Sequence, residues 1–514
     1  MYIIGGLEDQ TALIVWSRIS RQLFTISDPI VANIPVYQKM FDNMIHPLKT
    51  NQPVLSAFVS MFLTLLGENS YNYLLFLTLA LNLFFSYLFF RRFKFGFVYA
   101  LIFGFSAHTW VHLGVHIDLI QIWLMPLFWM LFLKIREKQS YINHIILGLF
   151  ITFSTLVSNY YGFFILVAFS IYSVVDFVAV SLGKRKTAFK SVSLYAVAIL
   201  TSLTFSFLFL FPYINDNFIA KQPAQYTVQR TYEDFFTFSS RPWYFILPPI
   251  KNPWLGGLSK TALNRLEKAA YFLTDDYFPA EHSGSYFGVL LLLSVILVCC
   301  YVFLKKDVRV KKTIVIHLLT IFAVVILMLP PFFTISGVVI WTPGYLLFKF
   351  FPMFRVTARL AILVLLLLLT TFGYCMDYIF SVYKAKLLWL FMISLLAVTL
   401  FETYIPLKIQ NIGDPPDVYV YLRDNIPPDA KFAVYPRAMS DEALFWLPVH
   451  RRELVNAKNF VADDFETKLL NGDLVDIDYV LVAKDHANVF FQTTRFIPIK
   501  TFGDTTVFQQ LIVT

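Results

Sequence analysis

The stretch from Tyr71 to Lys94, YNYLLFLTLALNLFFSYLFFRRFK, decides the fold class of this chain. Its first twenty residues are almost entirely apolar, and its last four include three basic residues. A helix needs ~20 mostly apolar residues to cross a bilayer, and Lys and Arg collect at the cytoplasmic ends of such helices. The stretch therefore predicts a transmembrane helix over 71–90 that ends at the cytoplasmic face.

The same pattern recurs along the chain and predicts an α-helical polytopic membrane protein with about 10–11 transmembrane helices. Spans are predicted over 71–90, 95–110, 118–134, 141–157, 161–181, 191–212, 285–304, 313–331, 357–380 and 387–405. Basic clusters follow alternate spans, at 91–94, 134–138, 184–190, 305–312 and 384–386. The positive-inside rule assigns these clusters to the cytoplasmic side of the plasma (inner) membrane. The connections between them are then extracytoplasmic.

The overall composition agrees with this class. The chain is 58% hydrophobic and only 15% charged, whereas a soluble domain carries roughly 25% charged residues. Its net charge of +9 comes from Lys and Arg clustered between apolar segments, which indicates membrane topology and excludes a nucleic-acid-binding face. The three cysteines, Cys299, Cys300 and Cys375, lie within apolar segments and predict neither a disulfide nor a zinc site.

Two N-terminal segments do not fit the alternation of spans. Residues 1–4 resemble the tail of a hydrophobic segment, and we expect a first transmembrane helix to be missing before them. Residues 53–67 are apolar but too short for a full crossing. Counting them as a span would also place Arg91 outside, so they predict a half-inserted or juxtamembrane helix on the outer face.

The composition divides the chain into residues 1–407, a transmembrane domain, and 408–514, a small extracytoplasmic α/β domain. In the second part, 431–435 and 478–482 predict strands, and Asp417 to Asp424 predicts the end of a helix. Within the first part, 1–52 forms an acidic outer loop with juxtamembrane helices. The long outer loop 213–284 is rich in aromatic residues and Pro, which suits either interfacial anchoring or stacking on sugar rings.

Charged residues of the outer loops are the candidates for chemistry. Glu8 and Asp9 precede an amphipathic segment that would hold them at headgroup level, where a carboxylate could take a proton from an acceptor hydroxyl. The alternative is that they are solvated loop acids. Arg355 and Arg359 lie four residues apart at an outer helix mouth and could hold a lipid phosphate, as substrate or as bulk lipid, through bidentate hydrogen bonds. Glu281, followed by His282, is a further candidate.

A histidine cluster forms the third candidate group. His108, His112 and His116 are spaced four apart and are followed by Asp118. Histidines four apart on a helix share a face and can share a divalent metal, with a carboxylate as a further ligand. His112, His116 and Asp118 are therefore candidate metal ligands. Alternatively, the histidines hydrogen-bond at a wet helix end. The cofactor requirement stays open.

Several short segments, in this order, resemble the integral-membrane glycosyltransferases of the GT-C superfamily, in particular the dolichyl-phosphate-mannose mannosyltransferase-like group. They are Glu8-Asp9-Gln10 with Trp16, Phe105-Ser106 with His112 to Asp118 and Pro126, Ser158 to Gly162, and Phe351-Pro352 with Arg355 and Arg359. Asp118 stands where the group usually has Asn. The resemblance covers roughly residues 5–405.

The resemblance implies a polyprenyl-phosphate-sugar donor that enters from the lipid bilayer, and an extracytoplasmic acceptor such as a glycolipid, polysaccharide or protein. It implies that Asp9 is the base, with Glu8 in reserve, and that Arg355 and Arg359 hold the phosphate. His116 and Asp118 would line the site or hold a metal. Tyr160 and Glu281 complete the predicted substrate-binding residues.

Two alternatives remain. A transporter or flippase of lipid-linked saccharides should show internal repeats and charged or broken helices at mid-membrane. Here the charges gather at the outer face, and no repeat is visible, which favours the transferase. The other alternative is an inactive GT-C relative.

Overall fold

A computed structural model describes residues 2–4, 50–66, 70–113, 116–181, 185–215, 219, 232–268, 279–305, 311–335, 338–383, 386–407, 409–411, 413–456, 465–471, 477–493 and 495–511. Glu8 and Asp9 lie outside these ranges. The elements of the first half are β1 Tyr2–Ile4, α1 Pro53–Leu66, α2 Ser70–Phe90, α3 Gly96–Gly104, α4 Ala107–His112, α5 Leu124–Glu137, α6 Tyr141–Val157, α7 Asn159–Ser181 and α8 Arg185–Ile214.

Short helices and the last apolar helices follow. They are α9 Tyr232–Thr237, α10 Gly256–Lys268, α11 Pro279–Gly284, α12 Val289–Leu304, α13 Lys311–Met328, the hairpin β2 Phe332–Ile335 and β3 Val338–Trp341, α14 Gly344–Phe350, α15 Ala361–Tyr383 and α16 Lys386–Thr403. Short 3-10 turns cover Pro242–Phe245, Pro352–Phe354 and Thr357–Leu360. The described part of the loop predicted over 213–284 thus contains three short α-helices.

The predicted membrane fold class is confirmed. Seven segments in the described part of the chain are long and apolar enough to cross a membrane. They are Asn72–Phe90, Asn159–Val178, Lys190–Ile214, Glu281–Leu304, Lys311–Met328, Thr357–Tyr383 and Lys386–Thr403. The span of α15 is 89% buried inside the protein, against 22% for that of α16. Helix α15 is therefore the central helix of the bundle, and α16 presents its side chains to lipid.

Three other predicted spans are shorter helices. The span predicted over 95–110 is divided into α3 and α4, because Ser106 between them has extended backbone with φ −62° and ψ 160°. The span predicted from 118 begins only at Leu124, since turns occupy the residues before it. Helix α6 covers Tyr141–Val157. The break before α4 and the turns after it build the corner that carries the histidines.

Two N-terminal expectations have different outcomes. Helix α1 confirms the short helix, with Pro53 at its first position. At 14 residues it is about 21 Å long, too short to span a bilayer. Residues 2–4 do not form the end of a hydrophobic helix. They form β1, which pairs antiparallel with β4 (Ile409–Asn411), with Tyr2 opposite Asn411.

The C-terminal part contains a five-stranded mixed sheet. Its elements are α17 Asp417–Asn425, β5 Lys431–Tyr435, α18 Ser440–Phe445, α19 Leu447–His450, β6 Glu453–Leu454, α20 Phe465–Asn471, β7 Tyr479–Ala483, α21 Ala487–Thr493, β8 Phe496–Phe502 and β9 Thr505–Gln510. The strand order is β6-β5-β7-β9-β8. Strand β5 is parallel to β6 and β7, whereas β9 is antiparallel to β7 and β8. The strands predicted at 431–435 and 478–482 are β5 and β7.

The sheet does not stand apart from the helices. One hydrophobic cluster joins α1 and α2 with the turn after α4 and with residues of the C-terminal part, including Leu55, Leu74, Ile117, Tyr419 and Trp446. Residues from both parts of the chain therefore pack against the turn that carries His116 and Asp118.

Candidate active site

Helix α4 presents two histidines on one face. His112 donates from Nδ1 to the carbonyl oxygen of His108 at 2.8 Å, and the two ring centroids are 4.3 Å apart. This bond leaves Nε2 of His112 with a lone pair. That nitrogen is buried and has no hydrogen-bond partner within the described residues. Burial, together with the charges of His108 and Arg359, holds the pKa of His112 well below its ordinary value, so the imidazole is neutral.

Tyr161 fixes the position of His108. Its hydroxyl donates to the carbonyl oxygen of Leu119 and accepts from Nε2 of His108 at 2.9 Å. Tyr161 belongs to the first turn of α7, whereas Leu119 lies in the turn beyond α4. One buried hydroxyl thus ties three segments together.

Helix α11 packs against α4 at a glycine. A Cβ at Gly284 would lie 3.6 Å from both Nδ1 of His108 and Cε1 of His112. A Cβ would make ordinary van der Waals contact here, whereas a larger side chain would meet the two histidines. The packing of α11 on α4 also brings Glu281, one turn earlier on α11, to the same end of the bundle.

Glu281 forms a buried ion pair with Arg359. The carboxylate atom Oε1 lies 3.0 Å from Nε and 2.9 Å from Nη2 of Arg359. The two side chains are only 2% and 10% exposed. The Arg359 guanidinium also stands 4.8 Å from the centroid of the Tyr160 ring. The site therefore holds a fixed positive group between a carboxylate and an aromatic face.

Asp118 and His116 occupy the adjacent turn and are half-buried. Oδ2 of Asp118 accepts from Nε2 of Gln52 at 2.9 Å. The negative charge of Asp118 interacts electrostatically with Tyr160, Tyr161 and Arg359. The ring of His116 lies 6.1 Å from that of His112, and its backbone N–H donates to the His112 carbonyl. Gln52 thus reaches this site although it lies 66 residues before Asp118 in the chain.

Arg355 lies one turn before Arg359. Its guanidinium packs 4.6 Å from the centroid of the Phe238 ring, and its charge acts on Tyr160. The predicted residues His112, His116, Asp118, Tyr160, Glu281, Arg355 and Arg359 therefore gather at one end of the bundle. Glu8 and Asp9 cannot be placed, because they lie outside the described residues.

The predicted metal site has no complete ligand set here. Over the described ranges, no three His, Cys, Asp or Glu side chains are arranged so that they could hold a metal ion. His112 offers one unshared nitrogen, but Asp118 is turned to Gln52.

Two residues of the site went unrecognised as functional in the sequence, Tyr161 and Gln52. Tyr161 is part of the Ser158 to Gly162 segment, which could have singled it out. Gln52 carries no sequence signal, because its partner is 66 residues away.

Two buried polar atoms at the start of α7 also lack partners among the described residues. They are Oγ of Ser158 and Oδ1 of Asn159. Helix α7 and the turn before α15 begin side by side here, as the contact of Tyr160 with Arg359 shows. Each long helix places roughly half a positive charge at its N-terminus. Two such ends and two arginines make this part of the protein attractive to an anion.

No protein-family model and no curated protein matches the chain. Two solved structures resemble it: ArnT from Cupriavidus metallidurans bound to undecaprenyl phosphate, and the same protein in the apo state. Sequence identity is 14% in both cases, and the match covers 99% of this chain and 94% of ArnT. The TM-scores are 0.34 for the bound form and 0.36 for the apo form.

Proposed function

We propose that the chain is a membrane glycosyltransferase that transfers a sugar from a polyprenyl-phosphate donor to an extracytoplasmic acceptor. The observation that carries the proposal is the convergence of Arg359, Glu281, Tyr160, His112 and Asp118 at one end of the helix bundle. These residues come from four separate segments of the chain.

We infer the orientation from the basic clusters. Arg359 and Asp377 mark the two ends of the central helix, and the cluster 91–94 lies beside Asp377, where the Lys94 backbone N–H donates to its carboxylate. We assign the cluster end to the cytoplasm by the positive-inside rule. The candidate site then faces the extracytoplasmic side, where a lipid-linked donor and an exported acceptor could meet.

The donor phosphate would bind beside the arginines. Arg359 is held in one orientation by Glu281, so it offers a preorganised cation. Such a group acts best where charge develops in the transition state. In the proposed reaction the acceptor hydroxyl oxygen bonds to the anomeric carbon, and the bond from that carbon to the phosphate oxygen breaks. The leaving polyprenyl phosphate gains negative charge, which Arg359 and Arg355 stabilise.

The hydroxyl proton needs a base. We assign this role to Asp9, with Glu8 in reserve, because a carboxylate near headgroup level can accept it. Gln52, which follows Asp9 in the chain, contacts Asp118 at the site. His116 and Asp118 would line the acceptor side.

The test uses the purified full chain in sealed lipid vesicles with a set of radiolabelled undecaprenyl-phosphate sugars and a membrane extract as acceptor. We expect labelled product with one donor, and loss of product in Arg359→Gln. Arg423→Gln is the matched control, because Arg423 is 45% exposed and pairs only with the neighbouring Asp424 in the described residues. Binding of undecaprenyl phosphate to the same proteins provides a second measurement.

Three results would contradict the proposal or its parts. If the wild-type chain neither cleaves any donor nor binds undecaprenyl phosphate, the proposed class is wrong. If labelled donor crosses the bilayer uncleaved, the chain is a transporter of lipid-linked sugars. If Asp9→Asn retains the full rate, Asp9 is not the base.

A further inference from the structure

A second charged site lies at the other end of the central helix. Arg359 and Asp377 are eighteen residues apart on the turn and helix that form this span, which corresponds to about 27 Å. An open cleft of about 550 Å³ lies at the Asp377 end. Its lining includes Arg91, Arg92, Lys94 and Ser381. The cleft is therefore separate from the candidate active site by roughly the thickness of a bilayer core.

The cleft carries an excess of positive charge. Arg91, Arg92 and Lys94 oppose a single lining carboxylate, Asp377, which leaves a net charge of +2. The Asp377 carboxylate is already engaged, because Oδ1 accepts from the Lys94 backbone N–H at 2.8 Å. The two arginines form no ion pair within the described part of the chain.

Aromatic rings hold the cations in place without neutralising them. The Arg92 guanidinium lies 4.0 Å from the centroid of Phe89 and 5.0 Å from that of Phe93. The Lys94 ammonium lies 5.0 Å from the centroid of Phe380. A guanidinium stacked on a ring keeps its N–H edge for a phosphate. The Arg92 side chain is itself exposed, so this edge can reach a ligand.

The backbone beneath these side chains is a tight turn. Phe93 N–H donates to the Phe90 carbonyl at 2.8 Å, and Gly96 N–H donates to the Phe93 carbonyl at 3.0 Å. A Cβ at Gly96 would lie 2.2 Å from the Phe90 carbonyl oxygen, so only glycine fits there. The three basic residues are thus displayed on a fixed loop. Such preorganisation reduces the entropy that binding costs.

We propose that this cleft binds a phosphate-bearing anion, either the headgroup of an anionic lipid or a free phosphate compound. Positive-inside topology accounts for basic residues at this face. It does not require them to line a cleft together or to stack on aromatic rings. Basic pockets between transmembrane helices on the cytoplasmic side are a known way to hold lipid phosphates.

The test measures binding to the full chain in detergent by native mass spectrometry. The probes are phosphatidylglycerol, phosphatidylcholine and inorganic phosphate. Ser381 is exposed and lines the cleft, and its hydroxyl donates to the Tyr378 carbonyl. Ser381→Asp adds a carboxylate to the cleft without removing any cation, and Ser381→Asn is its uncharged control. Arg91→Gln/Arg92→Gln removes two cations, and Lys134→Gln/Lys138→Gln removes two exposed ones elsewhere on the same predicted face.

We expect phosphatidylglycerol to bind more tightly than phosphatidylcholine. Ser381→Asp and the double arginine variant should weaken binding about tenfold or more, because each removes or opposes charge-assisted hydrogen bonds. The Asn and lysine controls should leave it unchanged. Inorganic phosphate binding with the same variant pattern, in the absence of lipid binding, would identify a soluble ligand. The proposal would be overturned if the two lipids bind with equal affinity, or if Ser381→Asp leaves the binding affinity unchanged.

Discussion

Arg359 and Glu281 lie 78 residues apart in the chain and form an ion pair that is almost fully buried. The pair joins the turn before α15 to α11, and α11 in turn packs on the histidine helix α4. The positive charge of Arg359 interacts electrostatically with both His112 and Tyr160. This one contact therefore organises the candidate site electrostatically.

Removing one member of this pair should destabilise the protein more than removing both. Glu281→Gln or Arg359→Gln leaves an uncompensated buried charge, which costs about 3–5 kcal/mol. The double variant Glu281→Gln/Arg359→Gln buries two neutral groups and should recover much of that loss. Melting temperatures in detergent for the four proteins form the cycle that measures the coupling.

This view is contradicted if the effects of the two single substitutions on stability are additive. If the double variant loses the sum of the two single effects, the two charges do not depend on each other. Transferase activity, in contrast, should be lost in all three variants, because each lacks the cation or its support.

The sequence predicted the fold class because long apolar segments leave few alternatives. The strands 431–435 and 478–482 were equally clear from their aromatic and β-branched residues. The division of 95–110 into two helices was not predictable, since the segment is mostly apolar and polar residues such as Ser106 and His108 also occur within helices. The break at Ser106 depends on packing against other segments, which a single sequence does not reveal.

The candidate site, too, was only partly predictable from the sequence. Charged residues in outer loops singled out Asp118, Glu281, Arg355 and Arg359 separately, because charges are costly near lipid. The pairing of Glu281 with Arg359 depends on tertiary structure, and so does the contact of Gln52 with Asp118. The sequence therefore identified most members of the site and none of its contacts.

Gly284 offers a steric test of the contact between α11 and α4. Gly284→Ala adds a Cβ at ordinary van der Waals distance from His108 and His112, so stability and activity should stay near wild type. Gly284→Leu must displace the histidines, and overpacking of this kind costs about 1–3 kcal/mol. We expect the Gly284→Leu variant to lose transferase activity as well as melting temperature. Full activity of the Leu variant would show that the histidine positions do not matter.

His450 predicts a pH-dependent stability of the C-terminal part. It is fully buried, donates from Nε2 to the Ala443 carbonyl at 2.9 Å, and accepts at Nδ1 from the Arg452 N–H at 3.1 Å. Burial lowers its pKa from 6.5 to about 4. Between these values the unfolded chain binds the proton and the folded chain does not, so stability is full above pH 6.5 and falls as the pH decreases.

The His450 contribution should amount to about 2 kcal/mol between pH 7.5 and pH 5. His450→Gln keeps a donor for the Ala443 carbonyl but cannot take the proton. Its melting temperature should be lower than wild type at pH 7.5, and the difference should narrow toward pH 5. Parallel curves for the two proteins would show that His450 does not titrate on unfolding. Fluorescence of the neighbouring Trp446, which is buried, can follow the transition.

Tyr160 and Tyr161 make a matched pair of neighbouring positions. Tyr161→Phe leaves the Leu119 carbonyl and the His108 N–H without their partner, and each unsatisfied buried group costs about 1–3 kcal/mol. It should also free the His108 ring to rotate. Tyr160→Phe keeps the aromatic face that stands 4.8 Å from the Arg359 guanidinium. We therefore expect a clear loss of melting temperature and activity for Tyr161→Phe and a small effect for Tyr160→Phe. Equal effects would mean that the hydroxyl of Tyr161 does not organise the site, and a larger loss for Tyr160→Phe would point to a direct role of its hydroxyl on the donor.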